Sequence, residues 1–379
     1  MKKKKQYRGI KYAMFPNTKQ DIQNQKTFGS CRFVWNKIYD DRQEYYEKYK
    51  KSIRITPAEY KEEYEWLKEV DSTALSNTQL NLERAFQNFF KKKANFPKHK
   101  SKHKTKKSYT TSCVNNNIRL KDGYIKLPKQ GWVKINMHKK PESNWKIKSA
   151  TISQDKQGNY FVSVLFEIEE DEVSTIDKES IKDENILALD YKSNGLYHDS
   201  NNEVADMPHY FRQMEKKLAK EQKRLSRKKG SKKKEPKSKN YLKQLEKVNK
   251  IHAKIANQRH DYLHKQSTQI ANAYDVVIVE DIDMCAIGNK GFHNGKATYD
   301  NGYGMFRNFL QYKLEERGKY FIKIDKWYAS SQICSKCGNK QKLELKDRIY
   351  KCPKCGQVID RDYNAALNIK AEGKRILYS

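Results

Sequence analysis

Ile186-Leu-Ala-Leu-Asp190 and Val276-Val-Ile-Val-Glu280 decide the fold of this chain. Each is an apolar run without alternation, and each ends in a carboxylate. Such runs have both faces covered, the habit of central strands in an α/β sheet. If the two strands are neighbours in one sheet, Asp190 and Glu280 emerge on the same edge.

The sequence between them is helical. Met214, Leu218 and Leu225 share coiled-coil spacing over about 209–227, as do Leu245, Val248, Ile255 and Tyr262 over about 240–272. The connector 226–239 holds eight basic residues with Gly230 and Pro236. The reading is an antiparallel helical pair with a basic, mobile tip. Beyond the second strand, residues 288–304 carry five glycines without apolar periodicity and are expected to form a flexible loop.

Toward the N-terminus the pattern is mixed. Residues 7–16 alternate apolar and polar and close on Pro16-Asn17, a strand and turn. Residues 21–50 and 57–93 read as helices, the second through Leu80, Ala85, Phe86, Phe89 and Phe90. Nine lysines then crowd 91–107, and alternating segments follow at 124–127, 133–137, 147–153 and 160–168. These are meander strands of a small barrel or sheet.

Cys334-x-x-Cys337 and Cys352-x-x-Cys355 are the strongest local signal. Each pair is a tight knuckle whose thiolates can face one tetrahedral ion, so two knuckles complete a closed four-sulfur zinc site. Gly338 and Gly356 follow them and supply the positive φ such turns need. A redox CxxC comes singly beside a thioredoxin-like unit. With all four positions filled by sulfur, the Zn²⁺ is structural.

A third acid, Asp362, opens the helical stretch Asp362-Tyr-Asn-Ala-Ala-Leu-Asn-Ile. Phosphodiester hydrolysis needs an activated water and a stabilised leaving oxygen. Two Mg²⁺ ions about 3.5–4 Å apart provide both, held by hard carboxylate oxygens. Asp190, Glu280 and Asp362 are the candidate catalytic and Mg²⁺-binding residues.

Composition narrows the partners. Lysine and arginine number 79 against 46 aspartates and glutamates, a net charge of +33. So basic a chain calls for a polyanion. Lys2–Lys5 are followed by Gln6, Tyr7 and Arg8 and not by an apolar stretch, which argues against a signal peptide. No apolar run approaches the ~18 residues of a spanning helix. The expectation is a cytoplasmic, nucleoid-associated protein that binds nucleic acid and no membrane.

The same residues carry a family likeness, nearly end to end. Leu189-Asp190, Leu218–Arg227, Lys254–Lys265, Ile278-Val-Glu280-Asp-Ile, Ser330-Ser-Gln-Ile-Cys334-Ser-Lys-Cys337-Gly338 and Asp360-Arg-Asp362-Tyr-Asn-Ala-Ala resemble the TnpB-type transposon nucleases, relatives of type V CRISPR effectors. Tyr12–Asn17, Cys31–Asn36 and Ala85–Phe90 running into Phe96-Pro97 extend the resemblance.

The resemblance implies an α+β multidomain chain. An N-terminal β-barrel (1–25 and 101–180) would carry a helical recognition insertion (26–100). An RNase H-like, RuvC-type α/β nuclease domain (184–331 and 357–379, with helical arm 209–272) would be interrupted by a zinc ribbon (332–356). It also implies a guide RNA from the transposon end, double-stranded target DNA cut beside a short flanking motif, and metal ligation by Asp190, Glu280 and Asp362.

Some residues leave choices open. Lys192 stands where the family has a small residue, and could reach the scissile phosphate or crowd a metal. Asp360 competes with Asp362 as third ligand; Asp362 holds the position before x-Asn-Ala. His260 and His264 are spaced like a zinc-protease pair, but Asp261 stands between them and a third ligand is not evident, so they read as structural or RNA-facing. Alternative functions are a strand-transfer transposase with the same triad, a guided DNA-binding repressor that does not cut, and a zinc-ribbon RNA-binding structural protein.

Overall fold

In the computed structural model, which describes residues 3–102, 105–171, 174–232, 235–288, 295–344 and 347–379, the chain divides into two units, Met1–Glu172 and Val173–Ser379. In the first, β1 (Lys3–Phe15) leads into α1 (Thr18–Tyr49), α2 (Tyr60–Glu63) and α3 (Ser72–Phe90). Six strands follow: β2 (Lys107–Ser112), β3 (Arg119–Lys121), β4 (Tyr124–Leu127), β5 (Gly131–Asn136), β6 (Lys146–Gln154) and β7 (Tyr160–Asp171).

Local chemistry sets the helix boundaries. Asn17 accepts from the Gln20 N–H at 2.9 Å while the Gln20 side chain accepts from the Asn17 N–H at 3.0 Å, a capping box that starts α1. The single helix expected over 57–93 is broken. Tyr64 leaves helical geometry, a 3₁₀ turn spans Glu65–Glu69, and Asp71 caps α3 by accepting from the Thr73 N–H at 3.2 Å.

The seven strands run β2-β6-β7-β1-β5-β4-β3, each antiparallel to its neighbours. Alternate residues Ile10, Tyr12 and Met14 of β1 and Val162, Val164 and Phe166 of β7 are buried, in one core with Phe28, Val34 and Ile38 of α1 and Leu75 and Leu82 of α3. The barrel expectation needs correction: among the described residues no pairing joins the outer strands β2 and β3. The sheet curls but stays open. A register shift between Ile147 and Ser149 bends β6 against β7, while β3, at three residues, offers little edge to close on.

The second unit is built on a five-stranded sheet of order β10-β9-β8-β11-β12: β8 (Ile186–Tyr191), β9 (Tyr197–Asp199), β10 (Val204–Ala205), β11 (Val276–Glu280) and β12 (Tyr320–Ile324). β8, β11 and β12 are parallel, while β9 and β10 are antiparallel additions. Helices α4 (Tyr210–Ser226), α5 (Lys239–Ala273), α6 (Met284–Ile287), α7 (Gly295–Asn301), α8 (Tyr303–Glu315) and α9 (Arg361–Tyr378) complete it, with a two-stranded ribbon of β13 (Ile349–Lys351) and β14 (Val358–Asp360).

The unbroken apolar runs are explained by what lies on each side. Leu187, Leu189, Val277 and Val279 enter a core with Leu263 and Ile270 of α5 and Phe306 and Leu310 of α8. Ile186, Ala188, Val276 and Ile278 enter a second core with Ile369 and Leu377 of α9. In the α4–α5 pair, Leu218 packs with Val248, Ile251 and Ile255. Two residues of the expected seam fall elsewhere: Tyr262 packs on the sheet core and Leu245 is only half-buried. Buried Gln244 takes Leu245's place, its amide donating to the Glu221 carboxylate at 2.7 Å and carbonyl at 3.1 Å. Of the expected tip, Lys233 and Lys234 lie outside the described residues.

The expected flexible loop at 288–304 is also corrected. Residues 289–294 lie outside the described residues, but 295–301 form α7 and 303 begins α8. Polar burial orders this segment. Asp300, 1% exposed, accepts from the Phe211 N–H at 3.1 Å, pairs with Arg259 at 3.3 Å, and so ties α7 to the start of α4.

Candidate active site

The register runs from Val276 beside Ile186 to Val279 beside Leu189, so β8 and β11 end together, with Asp190 and Glu280 at the same edge. α9 packs against both strands and carries Asp362 in its first turn. The electrostatics show the other two acids acting on Asp190. Burial, then the charges of Glu280 and Asp362, push the Asp190 carboxyl well above the ordinary carboxylate range, while Arg361 pulls it down. Burial raises Glu280 as well, opposed by a hydrogen bond from Ser330. Arg361 folds onto Asp362, with Nη2 and Nε at 3.0 and 3.1 Å from Oδ1. The arrangement concentrates hard oxygen donors whose mutual repulsion a divalent cation relieves, so the donor set fits Mg²⁺.

The competing acid Asp360 has another task. Its Oδ1 accepts from the backbone N–H groups of Asp362 and Tyr363 at 2.9 and 3.0 Å, capping α9. Buried His198 on β9 approaches that oxygen at 3.5 Å, and its ring stacks on Tyr363. The side-chain donor atoms of His198, Asp360 and Asp362 lie within 4.8 Å of one another. Lys192 pairs with Asp206 at 3.6 Å. The turn after Asp190 is held by Asn301, whose amide donates to the Ser193 carbonyl at 2.8 Å.

Sequence reasoning overlooked several neighbours of the acids. Arg307 donates to the carbonyls of Glu280 and Ile282, both at 2.8 Å, fixing the chain as it leaves β11. Ser330 donates to Glu280 Oε1 at 2.6 Å. Asn364 and Asn368, four apart on α9, face the first cysteine knuckle; that spacing was the one signal that could have marked them.

The four cysteines converge. Cys334 Sγ is 3.6 Å from Cys355 Sγ, and Cys337 Sγ is 3.5 Å from Cys352 Sγ. Tetrahedral bonds of about 2.3 Å to zinc place sulfurs about 3.8 Å apart, so the cluster fits that ion. Gly338 and Gly356 take φ of 73° and 72°, as the knuckles require. Buried Tyr350 packs among the cysteines, its hydroxyl donating to the Asn339 carbonyl at 3.0 Å. His260 and His264 stand apart from both sites: His264 stacks on Phe309 with ring centres 3.9 Å apart, and the two imidazoles are in contact.

Residues 303–369 match the family model described as "Cas12f1-like, TNB domain", residues 163–288 the IS605 OrfB model described as "Probable transposase", and residues 1–51, here β1 and α1, an OrfB "Helix-turn-helix domain" model. A protein of Streptomyces pristinaespiralis named as an RNA-guided DNA endonuclease is 32% identical, over 97% of this chain and 89% of its own length. One of Escherichia coli K12 with a similar name is 29% identical, over 98% of this chain and 94% of its own. The CRISPR-associated endodeoxyribonuclease Cas12f1 of Sulfoacidibacillus thermotolerans is 34% identical over 34% of this chain and 30% of its own. The solved structure of a Cas12f1–sgRNA–target DNA complex shares the fold, with a TM-score of 0.55 at 13% identity, covering 97% of this chain and 99% of that one. The chain belongs to the TnpB family, the OrfB proteins of IS605-type elements.

Proposed function

We propose that this protein is an RNA-guided DNA endonuclease that takes its guide from a transposon end and cuts matching double-stranded DNA beside a short flanking motif. The observation that carries the reading is the meeting of Asp190, Glu280 and Asp362 at the ends of β8, β11 and the start of α9. The names of its relatives support both the guide and the DNA substrate. In this reading the sheet of the second unit is an RNase H-like, RuvC-type nuclease core, and residues 332–356 are an inserted zinc ribbon.

Asp190, Glu280 and Asp362 would hold two Mg²⁺, which supply an activated water and charge neutralisation at the leaving oxygen. The protein's own residues set the stage. Burial and the charges of Glu280 and Asp362 favour a proton on Asp190, and burial favours one on Glu280, so a cation would have to displace protons to bind there. Arg307 holds the exit of β11, and the Arg361 guanidinium pairs with Asp362, balancing part of the site's negative charge. The lysine-rich segments 91–107 and 227–239 hold phosphates, which positions nucleic acid without reading its sequence. Cys334, Cys337, Cys352 and Cys355 would hold Zn²⁺ as a structural ion.

Sequencing the RNA that co-purifies with the protein tests the reading. A discrete species containing the transposon end is expected. Random cellular RNA would overturn it.

A further inference from the structure

Among the described residues, Glu280 is the one candidate ligand whose carboxylate receives a short bond from a side chain of the turn that leads into the first cysteine knuckle. Ser330 opens the 3₁₀ turn Ser330–Gln332, is 6% exposed, and its Oγ donates to Glu280 Oε1 at 2.6 Å. The turn is itself held from α9. Asn368 donates one amide to two carbonyls, Ser330 at 2.7 Å and Ile333 at 2.6 Å. Asn364, fully buried, donates to the Ile333 carbonyl at 2.7 Å and accepts from the Ser335 N–H at 3.0 Å. Ile333 and Ser335 flank Cys334, so the two asparagines grip the first knuckle on either side of its leading thiol.

The chemistry of these groups is selective. A serine hydroxyl aimed at a carboxylate oxygen favours the ionised, ligand-competent form and fixes the plane of the group. Its own position depends on the main chain that Asn368 clamps. Both asparagines sit on the helix that bears Asp362, with Asn364 two residues further on. One buried network therefore touches Glu280, the start of α9 and the cysteine knuckle. An anchor for the ribbon alone would need no contact with Glu280.

We propose that Ser330 is a positioning residue for Glu280, held in place by Asn368 and Asn364, so that the turn leading into the first cysteine knuckle sets the orientation of a catalytic carboxylate. The proposal rests on Glu280 being a metal ligand, and its test keeps the two separable. Divalent binding by the full chain is titrated calorimetrically with Mn²⁺, and guided cleavage is followed in parallel against Mg²⁺ concentration. Zinc content and target affinity are measured on every variant.

Ser330→Ala is expected to weaken Mn²⁺ binding and to lower the cleavage rate by roughly 10- to 100-fold, the range for groups that orient metal ligands. Zinc content and target affinity stay at wild-type values. Ser330→Thr, which keeps the hydroxyl, restores both properties. Asn368→Ala reproduces the Ser330→Ala defect, and the double variant is no worse than either single one, as for residues acting through one contact. Wild-type metal binding in Ser330→Ala beside lost binding in Glu280→Gln overturns the inference and leaves Glu280 a ligand. Wild-type binding in Glu280→Gln removes the reading beneath it. Equal losses in the Ala and Thr variants, or loss of zinc in Ser330→Ala, would mark a packing role and also overturn it.

Discussion

Gly373 of α9 lies directly against Ile278 of β11: a Cβ built at Gly373 would stand 2.4 Å from Ile278 Cγ2 and 2.5 Å from Cδ1. Ile278 is fully buried in the middle of the strand that ends at Glu280, so it has nowhere to move. The glycine lets the helix bearing Asp362 approach the strand bearing Glu280. Gly373→Ala should therefore destabilise the second unit by about 1–3 kcal/mol through overpacking, about 2–4 °C in Tm per kcal/mol for a unit of this size. Thermal melts check it; an unchanged Tm would mean that α9 does not seat this closely.

Much of this was legible in the sequence, for identifiable reasons. Ile186–Asp190 and Val276–Glu280 announced central strands because burial on two faces leaves no room for alternation. The cysteine knuckles were legible because a tetrahedral ion fixes both residue type and spacing. β9, β10 and β12 escaped because they are short or lie at the edge of the sheet, where patterning is weak. The order in 295–301 escaped because it comes from buried polar partners of Asp300 and Asn301, distant in sequence. Ser330 escaped for the same reason: nothing in a local pattern shows that a hydroxyl meets a carboxylate fifty residues away.

The cysteine cluster should carry one zinc per chain. Structural zinc contributes on the order of 10 kcal/mol to small units, so Cys337→Ser should loosen residues 332–356 and expose Tyr350, now fully buried. Elemental analysis of protein purified without chelator, with limited proteolysis of the variant, checks both. Zinc-free wild-type protein would contradict the assignment.

Nucleic-acid affinity should fall steeply with salt. Each neutralised phosphate adds about −0.9 to the log–log slope on duplex DNA and about −0.7 on single strands. Glutamine in place of the lysines at 228, 229, 232, 233, 234, 237 and 239 should flatten that slope. Unchanged affinity and slope would make the segment solvated charge.

Acid should loosen the packing of α5 on α8. Burial first, then the positive Lys313 and His260, push the His264 imidazole from 6.5 down to about 4. Between those values the unfolded chain takes up a proton that the folded chain refuses, so stability present above pH 6.5 is lost as pH falls toward 4. The ring is partly exposed, which moderates the effect. Denaturation midpoints across this window, in wild type and His264→Phe, test it. The variant should show the shallower dependence, and parallel curves would contradict the assignment.

The central claim is that Asp190, Glu280 and Asp362 cut DNA, while the basic surface and the guide hold it. Metal ligands act on the phosphate in the transition state, so removing one should spare binding and remove rate. The decisive measurement loads purified protein with its co-purified RNA and supplies Mg²⁺ and plasmid bearing the matching sequence with varied flanking bases. Wild type should yield linear product on some flanks. Asp190→Ala should bind the same target with wild-type affinity and cut it slower by orders of magnitude. Equal cutting by Asp190→Ala would remove that carboxylate from the site, and no cutting by wild type on any flank would contradict the account.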